Sequence, residues 1–257
     1  MRILLAVFAA LLPASALAQL LPEDYTLLGA AVRTRPAYDG SSSQATDLVP
    51  VVRYYGQPWF ARTTQGILEG GLRWNLGSGL AAGFQLAYEE GRDSSESSFL
   101  REHNFTDNLD AGGSLGAHVE WDATLGPAPV GLLARYRQNA DSDRGALADL
   151  RLNVGIYGDR GATLVVFSEA TWASSKANAA FYGVTPQQSA ASGFAAYQPG
   201  SGLQHVALGV IGGYDLSRHW TLVASAALRR LQGDAAKSPL VEKRENTYAN
   251  AGIAYRF

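Results

Sequence analysis

Four histidines, His103, His118, His205 and His219, are the side chains of this sequence best suited to moving protons or holding a metal near neutral pH. They are widely separated, without metal-ligand spacing, and the chain has no cysteine to act as thiolate nucleophile or zinc ligand. A larger set of charges has a different regularity. Glu69, Arg73, Glu89, Glu120, Arg135, Arg137, Arg151, Glu169, Arg229 and Arg256, together with His118 and His205, fall on the polar side of stretches whose other side is apolar. Such a set can form mutual ion pairs or line a water-filled interior. Ester hydrolysis would need a serine and a histidine on the apolar side, with a third group orienting the histidine. His118 and His205 point the other way by alternation, His103 lies in a loop and His219 at a turn. No catalytic residue, cofactor or metal is expected, and the protein is read as non-enzymatic.

The elements that position these charges follow a period of two residues, the beat of a strand with one greasy face. In "GSLGAHVEWDA", Leu115, Ala117, Val119 and Trp121 alternate with Ser114, Gly116, His118 and Glu120. In "LRLNVGIYG", Leu150, Leu152, Val154 and Ile156 oppose Arg151, Asn153, Gly155 and Tyr157. Twelve candidate strands can be traced: 24–33, 49–55, 58–62, 66–75, 80–90, 110–121, 129–139, 149–158, 162–174, 203–215, 219–231 and 246–257. The second and third are short, and a ten-strand reading discounts them. Segments 34–48, 91–109, 140–148, 175–202 and 232–245 are long and polar, and alternate with short turns at 56–57, 76–79, 122–128, 159–161 and 216–218. Only the link at 63–65 is shorter than that scheme asks.

Long and short connections on opposite ends are the mark of a transmembrane barrel, with long loops outside the cell and short turns in the periplasm. Composition agrees. The chain begins with Arg2, an apolar run from Ile3 to Leu12, and Ala16 and Ala18 before Gln19, the pattern of a secretory signal peptide over 1–18 cleaved on export. That leaves 19–257 as the barrel domain. No later stretch is long and apolar enough for a membrane helix, and a net charge of −2 gives no argument for a nucleic-acid partner. A soluble β-sandwich is the competing fold, but its outer faces would carry a denser coat of Lys and Glu than the Gly, Ser, Asn and Thr found here. Trp74, Tyr88, Trp121, Tyr136, Trp172, Tyr214, Trp220 and Tyr255 lie near strand ends, where two membrane interfaces want aromatic rings. The expected fold is therefore all-β: a transmembrane antiparallel up-and-down β-barrel of about twelve strands, in contact with outer-membrane lipid.

Backbone groups in hydrocarbon must all be paired within the protein, so the last strand must meet the first. Its alternation runs to the end of the chain: Phe257, Tyr255, Ile253, Ala251 and Ala249 outward, Arg256, Ala254, Gly252, Asn250 and Tyr248 inward. Tyr255 and Phe257 resemble the C-terminal assembly signal of outer-membrane proteins. Twelve strands enclose little more space than side chains of this length fill, which favours a plugged or narrow interior over an open pore.

Three segments resemble the MipA/OmpV family of Gram-negative outer membranes: "RPAYDGS" (35–41), "FYGVTPQQSAASGFAAYQPGSG" (181–202), and "RRLQGDAAKSPLVE" (229–242) with the closing "YRF". The motif residues are Pro36, Tyr38, Gly40, Tyr182, Gly183, Val184, Thr185, Gly233, Asp234, Ser238 and Pro239. One departure is the order Phe181-Tyr182, which the family usually has as Tyr-Phe. The resemblance implies an outer-membrane protein that scaffolds murein enzymes, with a periplasmic lytic transglycosylase and a penicillin-binding protein as partners. Other members are treated as surface antigens or adhesins, and a narrow small-solute channel is the remaining alternative. The motif segments themselves admit a ligand or lid contact or a loop folded back as a cap; their residue types are ordinary loop formers, which favours the cap.

Overall fold

The computed structural model describes residues 26–64 and 67–257. The expected signal peptide, 1–18, lies outside them. Twelve strands form a closed antiparallel barrel in chain order, β12 returning to β1. They are β1 (Leu27–Pro36), β2 (Gln44–Tyr55), β3 (Trp59–Thr64), β4 (Ile67–Gly77), β5 (Leu80–Glu89), β6 (Gly112–Leu125), β7 (Ala128–Asn139), β8 (Ala146–Asp159), β9 (Ala162–Ala173), β10 (Gly202–Asp215), β11 (Trp220–Leu231) and β12 (Glu245–Arg256). The seam pairs Leu28 with Tyr255 and Thr34 with Ala249, and Phe257 N–H donates to Thr26 O at 3.1 Å. The chain's last strand thus completes the ladder that lipid requires. Among the described residues no helix is long and apolar enough to cross a membrane.

The ten-strand reading is set aside, because Arg53, Tyr54 and Tyr55 of β2 pair with Arg62, Ala61 and Phe60 of β3. Strand ends differ from the sequence expectation in three places. The expected loop 34–48 shrinks to 37–43, since β1 runs on to Pro36 and β2 begins at Gln44, and the loop 140–148 shrinks to 140–145. In the first, the inward carboxylate Asp47 is held by Arg33 and Arg35, so a polar residue continues a strand instead of ending it, and in the second Ala146, Leu147 and Ala148 extend β8 by pairing with β7 and β9. The turn expected at 122–128 is only 126–127, the ladder continuing to the Leu125 and Ala128 pair.

The outside of the wall is apolar. Leu48, Phe84, Leu86, Leu115, Leu150, Leu208 and Ile253 are exposed, and they share the outer face of their strands. Exposed rings form two girdles: Tyr88, Tyr136 and Trp172 toward the long-loop end, Trp74, Trp121, Tyr214 and Trp220 toward the short turns. Inside, the wall is lopsided. The β3 to β9 half carries long charged side chains at mid-height, whereas the middle of the facing half presents small ones such as Ala31, Ala207, Gly209, Ala227, Gly252 and Ala254, with Arg256 at one end and Arg33 and Arg229 at the other. One close approach needs glycine: a Cβ on Gly83 would lie 2.1 Å from Leu72 O and 2.6 Å from the His118 ring.

Candidate functional site

The lumen is filled by a chain of ion pairs. From Arg73 it runs through Glu120, Arg62, Glu69, Arg135, Asp149 and Arg137 to Glu89, arginine and carboxylate alternating so that charge cancels. Arg73 donates to Glu120 at 2.8 Å, Arg135 to Glu69 and to Asp149 at 2.9 Å each, and Arg137 to Asp149 at 2.9 Å. Thr171 Oγ1 donates to the other oxygen of Asp149 at 2.8 Å. Seven of these eight charged residues are buried, and the eighth, Glu89, receives Ser114 Oγ as well as Arg137. Burying charge is tolerable only with partners of opposite sign this close. Arg151 lies 3.6 Å from Glu169 and 4.0 Å from the centre of the Phe167 ring. Arg256 closes the short-turn end on Asp215 and Thr221, and Arg229 reaches the long-loop end, where its Nη1 donates to Asp39 at 2.7 Å.

Above the lumen, four of the long loops knit into a roof with its own apolar core. Ala37 and Tyr38 from loop 37–43, Leu100 and Phe105 from loop 90–111, Val184 and Phe194 from loop 174–201, and Leu240 from loop 232–244 pack together. Helices α1 (Ser98–Glu102), α2 (Ser175–Tyr182) and α3 (Pro186–Ser192) brace it. Each starts on a hydroxyl: Ser97, Ser174 and Thr185 accept the N–H of Leu100, Ala177 and Gln188. Thr185 and Gln188 complete a capping box, and Gly183 closes α2.

The motif residues of the three segments meet in this roof. Tyr38 donates to Leu240 O and Ser238 to Tyr182 O, both at 2.7 Å. Val184 and Tyr197 exchange backbone bonds at 2.8 Å, and Tyr197 Oη donates to Asp234 O at 2.8 Å. Gly40, at φ +106°, donates to Asn246 Oδ1 at 2.7 Å and accepts from Glu242 N–H. Gly233 turns at φ +51°, and Pro36 is fully buried where β1 enters the roof, while Pro239 is half-buried beside Ser238. The inverted Phe181-Tyr182 pair places Tyr182 in the buried cluster with Leu231 and Ala235, and Phe181 packs against it. Tyr255 stacks edge-on with both Trp220 and Phe257 at the far end of the barrel.

Electrostatics in the roof follow burial and partners. Burial pushes the Tyr38 and Tyr182 phenols up. The Asp39 carboxyl would be pushed up in the same way, but Arg229 and the Tyr248 hydroxyl hold it below the usual carboxylate range. Arg92, whose guanidinium donates to Phe181 O at 2.6 Å and lies over the Phe105 ring, is pulled down by burial.

Charges that sequence reasoning did not single out complete the site: Arg33, Asp39, Asp47, Arg62, Arg92 and Asp149. Asp149 shares parity with Arg151 and was within reach of the alternation; Arg62 sits in the shortest strand, and Asp39 and Arg92 lie in loops where parity carries no information. His118 bonds Gln85 within the lumen, His103 stacks on Phe194 in the roof, and His219 stacks on Tyr255. Among the described residues, no cluster of His, Asp and Glu could hold a metal ion.

A closed antiparallel barrel, apolar and ring-girdled outside and charged within, is an outer-membrane β-barrel by architecture. Two solved structures share the fold. The NanC porin structure superposes with a TM-score of 0.50 at 12% identity, covering 90% of this chain and 100% of that one. An outer membrane channel from Pseudomonas putida F1 superposes with a TM-score of 0.51 at 14% identity, covering 96% and 100%. The sequence profile of the family described as "MltA-interacting protein MipA" matches residues 28–257, and the chain belongs to that family. Curated relatives named MltA-interacting protein, from Escherichia coli K12 and Shigella flexneri, are 29% identical over 101 residues, 39% of this chain. That match spans about two fifths of the relatives' own length, 40%.

Proposed function

We propose that this chain is a non-catalytic barrel of the outer membrane that acts through its surfaces, as a docking protein for a periplasmic lytic transglycosylase and, alongside it, a penicillin-binding protein. The observation that carries this reading is the stopped lumen: paired arginines and carboxylates occupy the middle and the loops roof the outer end. A barrel closed in that way offers no wide passage for solutes, so its work falls to what it holds at its rims. The name of the E. coli and Shigella relatives supports an interaction with a murein hydrolase. On this reading the short turns at 56–58, 78–79, 126–127, 160–161 and 216–219 face the periplasm, and Tyr255 and Phe257 serve as the assembly signal.

Immobilised barrel in detergent should retain the lytic transglycosylase from a solubilised envelope extract, with a penicillin-binding protein co-eluting. Failure to retain either enzyme defeats the docking reading. In planar bilayers the same preparation should be electrically silent, and reproducible single-channel steps would replace docking with transport.

A further inference from the structure

Where the ion-pair chain ends and the roof begins, a cavity of about 150 Å³ remains. Arg137 and Asp149, the outer end of that chain, form part of its lining, with Asp39, Tyr182, His205 and Arg229. Its volume equals that of about five liquid waters. A small amino acid fits such a space.

His205 is the group without an explanation. It is 6% exposed, and neither ring nitrogen has a hydrogen-bond partner. Arg229 adds a second orphan, for its Nε is buried and unpartnered although its Nη1 binds Asp39 and Tyr248. Buried polar atoms left unmatched are rare, and each calls for a missing partner. Both residues line the same cavity.

Charge selects the partner. Asp39, Glu89, Glu90, Asp149 and Glu169 line the cavity together with Arg33, Arg35, Arg137 and Arg229, so charges of both signs face it. A plain anion would find donors on His205 and Arg229 but an opposing wall. A plain cation would find the wall but leave the donors idle. A zwitterion satisfies both.

We propose that this cavity binds a small α-amino acid, its carboxylate held by His205 and Arg229 and its ammonium toward the carboxylate-rich wall. Glu90, 42% exposed on the cavity lining and paired with Arg33, marks the entrance from outside. Beneath it the paired charges make the cavity a dead end, so the ligand is held and not passed on. The site lies at the long-loop end and is independent of docking in the periplasm.

The test is histidine-selective ¹⁵N labelling of the full mature chain in detergent, with L-alanine, acetate and methylammonium titrated separately and the imidazole nitrogens followed by NMR. L-Alanine should shift the His205 signal saturably, the signal being assigned by its loss in His205→Gln. Acetate and methylammonium should each bind at least roughly tenfold more weakly. No saturable shift with L-alanine would mean that the cavity holds water alone, and would overturn the proposal. Acetate or methylammonium binding as tightly as L-alanine would also overturn it, leaving a simple ion site. Should His205→Gln fail to fold, the signal is assigned instead as the one that survives in each of His103→Gln, His118→Gln and His219→Gln, and the three-probe comparison on the unmutated chain stands.

Discussion

Leu100 and Leu240 in the roof and Glu69 in the lumen are hidden to the same degree, at 0%, 0% and 2% exposure, yet they belong to cores of opposite chemistry. The roof is made of loops in water, where gathering Tyr38, Leu100, Phe105, Phe194 and Leu240 removes apolar surface from solvent. The wall of the barrel stands in hydrocarbon, where an apolar side chain is already at home facing out. Its interior is therefore left to polar groups, and a lumen too narrow for bulk water must satisfy them by pairing. One chain thus folds by burial at one end and by ion pairing a few ångströms below. Arg229, a strand residue paired with Asp39 of a loop, is where the two cores join.

The sharpest way to break this contrast is to remove a charge that two arginines share. Glu69→Leu strips Arg62 and Arg135 of their common carboxylate and should cost about 3–5 kcal/mol in urea unfolding from lipid vesicles. A loss under about 1 kcal/mol would show lumen water doing the work of the ion pair, and the lumen would not be a core at all.

Next in size is the roof. Leu240→Ala should cost about 2–3 kcal/mol, the low end of the range for a buried leucine, because loops can settle into the space. The loss should stay local: limited proteolysis within 90–111 and 174–201 accelerates while the barrel's urea midpoint holds. A matching drop of that midpoint would make roof and lumen one cooperative unit.

Acid should separate the two cores at their junction. The Asp39 carboxyl is held below its unfolded value of about 3.9, so its contribution is present in full above about pH 4 and is lost as pH falls through the folded value. Protease protection of the roof should then be flat from about pH 5 to 8 and fall below about pH 4, with Asp39→Asn abolishing that step. A step near neutral pH would assign the junction to another group. The smallest effect belongs to the rim, where Arg230 and Glu245 face each other at 3.6 Å, both more than half exposed. Arg230→Ala should change stability by less than about 0.5 kcal/mol, and a larger loss would mean that charge pairs matter here even in water.

Much of the barrel was legible along the chain, and the reason is geometric. A strand in a closed sheet has only two faces, so a residue's parity states which solvent it meets. Glu69, Arg135, Arg137 and Arg151 could be placed inward from their neighbours alone. Parity fails where it has no long run to count along, as in the short β3 that holds Arg62, and where polar residues at a strand end look like a loop, as with Asp47. It is silent in loops. Asp39 and Arg92 give no sign in the sequence that one will meet Arg229 and the other will sit over Phe105.

By itself, then, the sequence determined the class of fold, the direction of the faces of the longer strands and the need for β12 to meet β1, because hydrocarbon leaves a spanning sheet no other way to pair its backbone. It did not determine which inward charge pairs with which, nor that four loops far apart in the chain share one apolar core. Those contacts depend on how far the strands are shifted against one another around the closed wall and on how the loops fold back across it. Only the three-dimensional structure sets those distances, and with them the line between a filled lumen and the small cavity above it.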